Sequence, residues 1–313
     1  MVKKTDPDNT AVIVGSGPAG MSAAIYAKAS NLDVVLIEQA APGGQILRTS
    51  RIDNYLGFKM GTSAYEMYEK FQEHLESFEV EPMMEAVAKI VPGSPNSVET
   101  TGGETFLCKA VIVATGARPR LLGIPGEWRL LGKGVSTCAV CDGNFFKGQT
   151  VAVVGGGTTA VEDVIYLSNL AGKVYHIHRR DQLRLAGETS TELNERKNVE
   201  RVFSSNVIEV LGEEKVEAIR VKNLNDESER ELKLDGLFVA VGVAPNTDFL
   251  GGILELDETG FVVTDENMNT SVAGVFAAGD VRAKALRQVC TAVADGAMAA
   301  ISAARYITGV SLW

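Results

Sequence analysis

The stretch TAVIVGSGPAG, residues 10–20, sets the reading of the whole chain. An apolar run breaks at Gly15, Gly17 and Gly20, and MSAAIYAKASN (21–31) continues with helical composition. DVVLIE (33–38) then reads as a second strand ending on an acid, Glu38. This is strand, glycine turn, helix, strand. The first glycine makes the tight turn, the second lets a pyrophosphate approach the backbone, and the third lets helix pack on strand, with the helix N-terminus facing the phosphates. The competing reading is a glycine turn in some other α/β sheet; the acid closing the next strand, where ribose hydroxyls would be gripped, argues against it.

Residues 150–178 repeat the plan as TVAVVGGGTTA, VEDVIYLSNLAG and KVYHIH, with Ala160 in the third glycine place. An internal repeat of a βαβ nucleotide-binding unit is the most informative feature of the organisation. Glu38 lies as far beyond Gly15 as His178 lies beyond Gly155. The first copy thus carries a carboxylate at the ribose position, whereas the second carries His178-Arg179-Arg180, followed by Arg184. A carboxylate suits a free 2′-hydroxyl, and a guanidinium fork suits a 2′-phosphate. The first site should therefore hold a nucleotide such as FAD, and the second should prefer NADPH to NADH. The alternative for HRRDQLR is a solvated charged turn.

The 313 residues, 45% hydrophobic and 22% charged, allow two domains with real cores. A formal net charge of −10 disfavours nucleic acid and anionic membranes as partners. No apolar run is long enough to span a membrane, and MVKKTDPDNT lacks the apolar segment of a signal peptide. The cysteine usage is not that of a secreted disulfide framework, so a cytoplasmic location is the expectation.

CAVCDG, Cys138 to Gly143, lies just upstream of the second glycine motif. It reads as a redox dithiol, as half of a metal site, or as two inert buried thiols. A metal site needs a second pair, but Cys108 and Cys290 are single and default to small core residues, so no metal is expected. The small Ala139-Val140 spacer permits a tight disulfide ring. Asp142 could give or take the proton that disulfide reduction requires, or simply cap a helix ahead of Gly143. Elsewhere, helical spacing over 62–78 predicts a helix capped by Thr62 or Ser63. Residues 85–107 predict a β-meander turning at PGSPN (92–96), and 207–240 predict strands around polar turns. Buried strands are expected at 110–120, 236–246 and 274–280, and a long small-residue helix at 287–307.

Taken together, GSGPAGMSAAIYA, PGGQ (42–45), ATGARP (114–119), CAVCDG, GGGTTAVED, HRRDQLR, GVAPNT, GVFAAGD and RQV (287–289) resemble the low-molecular-weight thioredoxin reductases, in the same order and spacing. The resemblance covers nearly the whole chain. It implies an α/β fold of two Rossmann-like, three-layer ββα domains: a discontinuous FAD domain of residues 1–119 and 247–313, and an inserted NADPH domain, 120–246, carrying the dithiol. It implies FAD contacts at Gly15, Gly17, Ala19, Gly20, Glu38, Gln45, Gly279, Asp280, Gln288 and Val289. NADPH contacts are implied at Gly156, Thr158, Thr159, Ala160, His178, Arg179, Arg180 and Arg184. Cys138, Cys141 and Asp142 are implied as catalytic, thioredoxin or a thioredoxin-like protein as partner, and a homodimer as the assembly. Val140 stands where many relatives carry threonine, and LAGETSTEL after Arg184 is less basic than in many of them. Three other readings share these motifs in part: a flavin dithiol oxidase, a ferredoxin-dependent flavin thioredoxin reductase, and a nucleotide sensor with a regulatory CxxC.

Overall fold

The computed structural model describes residues 6–48, 52–183, 193 and 195–310. The chain divides into two compact units, Met1–Arg118 with Ala244–Trp313, and Pro119–Val243. In the first unit, strand β1 (Thr10–Val14), helix α1 (Pro18–Ala29) and strand β2 (Asp33–Glu38) follow one another as their apolar patterning requires. They sit in a five-stranded parallel sheet ordered Val275–Ala277, Ala110–Val113, β1, β2, Met83–Met84.

Both faces of this sheet are covered, which explains the unbroken apolar runs. Side chains alternate across a strand. Ala11 and Ile13 therefore join the helical core with α1 and the C-terminal helix Val289–Thr308. Val12 and Val14 join the opposite core, with Val98 and Phe106 from an antiparallel meander of Val87–Val91, Asn96–Thr100 and Thr105–Cys108. The result is three layers: helices, parallel sheet, meander. α1 and the C-terminal helix approach closely because both are built from small residues. A Cβ on Gly296 would stand 2.1 Å from the Ala19 carbonyl oxygen.

The second unit repeats the design. Strand β3 (Thr150–Val154), helix α2 (Thr158–Ser168) and strand β4 (Lys173–Ile177) form the βαβ core. The parallel sheet is ordered Val199–Val202, β4, β3, Gly236–Val239, Val135–Ser136. Val151 and Val153 face α2, while Ala152 and Val154 face a meander of Ser205–Leu211, Ala218–Asn223 and Glu229–Lys233. Among the described residues no helix is long and apolar enough to cross a membrane.

The expected helix at 62–78 spans Ala64–Glu76, and Ser63 rather than Thr62 caps it, its Oγ accepting from the Glu66 N–H at 3.0 Å. The three expected buried strands are shorter than read, the last spanning only Val275–Ala277 of 274–280. Residues 110–120 break after Val113 and resume at Ala117–Pro119, and 236–246 break after Val239 and resume at Val243–Pro245. Gly116 and Gly242, at φ +66° and +103°, turn the chain at each break. Cys108 is a core residue, burial pushing its thiol up to about 12. Cys290 is not, contrary to the sequence reading. The buried stripe of its helix runs through Ala292, Gly296, Ala299, Ala303 and Ile307, and Cys290 lies off that stripe, exposed.

Candidate active site

The first glycine loop is set by backbone contact. Gly15 has φ +102°, and a Cβ there would lie 2.5 Å from the Ala114 carbonyl oxygen. Gly20 is more tightly constrained, since its Cβ would stand 1.8 Å from the Gly15 oxygen. Gly17 caps α1 with no side-chain hydrogen bond, and no acid stands in the first turn. Glu38 is buried at the end of β2. Its Oε2 accepts from the Ser16 N–H at 2.8 Å and Ser16 Oγ at 3.0 Å, and its Oε1 from the Ala40 N–H at 2.9 Å. It forms one wall of an open cleft that also involves Gly15, Gln39, Thr115, Arg118 and Asn246.

Gly279 and Asp280 come to the same edge from far along the chain. Gly279, at φ +78°, packs so closely that its Cβ would be 2.7 Å from the Ala19 Cβ. Burial pushes the Asp280 carboxyl up, against the pull of Lys284 and Arg287. Its Oδ1 is buried with no hydrogen-bond donor among the described residues, Lys284 Nζ standing 3.6 Å away. Gln288 caps the C-terminal helix, and Val289 packs beside Ile46 and Met67. Gln45 donates to the Ala117 carbonyl. Gly15, Gly17, Ala19, Gly20, Glu38, Gly279 and Asp280 are thus gathered along one sheet edge.

The second loop follows the same path. Gly155 N–H donates to the Ile177 carbonyl at 3.0 Å, as Gly15 N–H does to that of Ile37 at 2.7 Å. Gly157 caps α2 without a side-chain bond, Thr158 and Thr159 are exposed on its first turn, and Ala160 is buried beneath. The His178 ring lies against Gly156, where a Cβ would meet it at 2.1 Å. Arg179 and Arg180 follow, both exposed. Arg184 lies outside the described residues.

In that same unit a disulfide joins Cys138 and Cys141, Cα to Cα 5.3 Å. Cys138 precedes the short helix Ala139–Asp142, and its Sγ accepts from the Cys141 N–H at 3.2 Å. Asp142 makes no side-chain cap on the turn that follows, as the capping alternative required. Its Oδ2 instead accepts from Ser136 Oγ at 2.6 Å, and Ser136 Oγ in turn accepts from the Cys138 N–H at 3.1 Å. An acid, a hydroxyl and the dithiol therefore form one connected group. Among the described residues no three His, Cys, Asp or Glu side chains could hold a metal ion.

Residues 9–296 match the family model described as pyridine nucleotide-disulphide oxidoreductase. The chain belongs to that family. A thioredoxin reductase from Listeria innocua is 40% identical over 297 residues, covering 95% of this chain and 93% of its own length. The solved thioredoxin reductase of Streptococcus pyogenes superposes with a TM-score of 0.90 at 42% identity, covering 97% of this chain and all of its own. A ferredoxin-flavin thioredoxin reductase from Clostridium acetobutylicum, 32% identical, superposes at 0.52 over 96% of this chain and 98% of its own.

Members of such a family work with a pyridine nucleotide and a disulfide, and the residues present fit the groups required. At the first edge an uncapped helix N-terminus suits phosphate, and the orphaned Asp280 Oδ1 suits a hydroxyl donor, as on the ribityl chain of FAD. At the second, an uncapped N-terminus and two exposed guanidinium groups suit a phosphorylated dinucleotide such as NADPH.

Sequence reasoning missed three polar residues. Ser136 was hidden in a short strand. Asp295 accepts from the Gly279 N–H at 3.1 Å, Arg282 at 2.9 Å and Lys284 at 3.0 Å, so it anchors the loop carrying Asp280. His176 lies buried in β4. The available signal for the last two was an ionisable side chain inside a mostly apolar element.

Proposed function

We propose that this protein is an NADPH-dependent thioredoxin reductase, a flavoprotein that reduces the disulfide of thioredoxin or a thioredoxin-like protein through Cys138 and Cys141. The observation that carries the reading is the Cys138–Cys141 disulfide in the same unit as a glycine loop that ends in Arg179 and Arg180. FAD and NADPH are its cofactors, and when bound they supply the electron pair, as hydride leaving the nicotinamide for the flavin.

In this reading the first unit is the FAD domain, holding the nucleotide through Gly15, Gly17, Ala19, Gly20, Glu38, Gln45, Gly279, Asp280, Gln288 and Val289. The second holds NADPH through Gly156, Thr158, Thr159, Ala160, His178, Arg179, Arg180 and Arg184. The Cys138–Cys141 bond breaks on taking up two electrons, and one proton yields one thiol and one thiolate. Asp142, held by Ser136, is placed to carry that proton. The Cys141 N–H stabilises negative charge on Cys138 Sγ. The thiolate then attacks the partner's disulfide, and the second cysteine closes the ring and releases the partner as a dithiol. A homodimer in the cytoplasm completes the proposal.

The deciding test is anaerobic titration of the flavoprotein with one equivalent of NADPH, with NADH in a parallel cell. Fast loss of flavin colour with NADPH, followed by turnover of thioredoxin, is expected. Colour retained with both nucleotides, but lost with reduced ferredoxin, would replace the donor. Rapid reoxidation of added dithiols by oxygen would instead favour a dithiol oxidase.

A further inference from the structure

The two glycine loops differ in what the carbonyl of their first glycine meets. In the first loop the Gly15 carbonyl lies where a Cβ on residue 20 would be, 1.8 Å from it, and only glycine fits there. The matching residue of the second loop is Ala160, whose real Cβ takes that place. The Gly155 carbonyl turns elsewhere and accepts from Nε2 of His176 at 3.0 Å. His176 is fully buried, at the register occupied in the first copy by Leu36. A carbonyl can only accept, so Nε2 bears the hydrogen and Nδ1 is bare. That Nδ1 is buried without a partner among the described residues. Burial holds the ring neutral, its pKa pushed down to about 4. Phe203 packs edge-on against it, ring centroids 5.4 Å apart. A buried imidazole with one orphaned nitrogen is costly where leucine serves in the other copy.

The N–H on the same peptide shows what that cost supports. In the first loop the Ser16 N–H is held by Glu38. The second loop has His178 at the matching position and so has no carboxylate to do this. A trans peptide points its carbonyl and N–H in opposite directions. Fixing the Gly155 carbonyl inward on His176 therefore holds the Gly156 N–H pointing the opposite way, away from the buried ring.

We propose that His176 is a positioning residue for the dinucleotide phosphates, acting through the Gly155–Gly156 peptide of the second loop. This rests on the reading that the second unit binds NADPH.

The test is calorimetric titration of the flavin-loaded protein with NADP⁺, alongside steady-state kinetics in NADPH and thermal melting. His176→Leu should weaken NADP⁺ binding about tenfold, which corresponds to about 1.4 kcal/mol, and raise KM for NADPH in step while kcat at saturation holds. His176→Gln, whose side-chain amide can donate to the same carbonyl, should restore most of the affinity. Should the leucine variant not fold, the flexible His176→Met takes its place. Wild-type affinity in the apolar variant would overturn the proposal, and so would equal losses in the apolar and glutamine variants. An Arg179→Ala, Arg180→Ala double variant is titrated beside them. If it too binds NADP⁺ normally, the error lies in the NADPH reading itself rather than in the role of His176.

Discussion

Ser136 Oγ donates a 2.6 Å hydrogen bond to the carboxylate of Asp142 while accepting from the N–H of Cys138. One hydroxyl thus ties the acid to the dithiol it is proposed to serve. Losing that hydroxyl frees the carboxylate to turn away from the disulfide. Ser136→Ala should therefore slow reduction of the protein disulfide severalfold, with flavin reduction by NADPH unchanged. An unchanged rate would separate Ser136 from proton transfer.

Cys141→Ser should leave the flavin bound and reducible by NADPH but abolish reduction of a protein disulfide, because the ring that accepts the electron pair can no longer close. Stopped-flow absorbance and thioredoxin turnover read the two halves separately. Retained turnover would remove the dithiol from the mechanism.

Gly20→Ala should cost flavin retention. The added Cβ would stand 1.8 Å from the Gly15 carbonyl oxygen, and backbone must move to relieve it. The flavin-to-protein absorbance ratio after gel filtration should fall severalfold. The glycine loop does not set the binding if that ratio is unchanged.

Asp163 lies in α2, where burial, with Glu162 adding to it, raises its carboxyl from 3.8 to about 7. The folded state holds this proton more tightly than the unfolded chain. Its stabilising effect is complete below about pH 4, is lost progressively as pH rises from there, and is gone above about 7. Asp163→Asn should therefore be more stable than the parent at pH 8 by on the order of 2 kcal/mol, and about equal to it below the unfolded value, at about pH 3.5. Denaturant unfolding at both values checks this, and an equal effect at the two would contradict the assignment.

The sequence alone determined the doubled βαβ plan, the two glycine loops, the cysteine pair and the acid-versus-arginine contrast at the ribose positions. These are local facts: periodicity, glycine spacing and charge at a fixed distance along the chain carry them. Gly279 closing on Ala19 and Asp295 holding Gly279 and Lys284 were decided only by the tertiary structure, because each joins residues far apart in the chain. The same holds for His176 reaching Gly155, which depends on how one strand lies beside the next. Even Ser136 and Asp142, near neighbours in sequence, needed it. Only the turn between them shows that the carboxylate faces the hydroxyl instead of capping the following helix. Hydrogen-bond partners follow from where backbone and side chains meet in space, and residue spacing does not encode that.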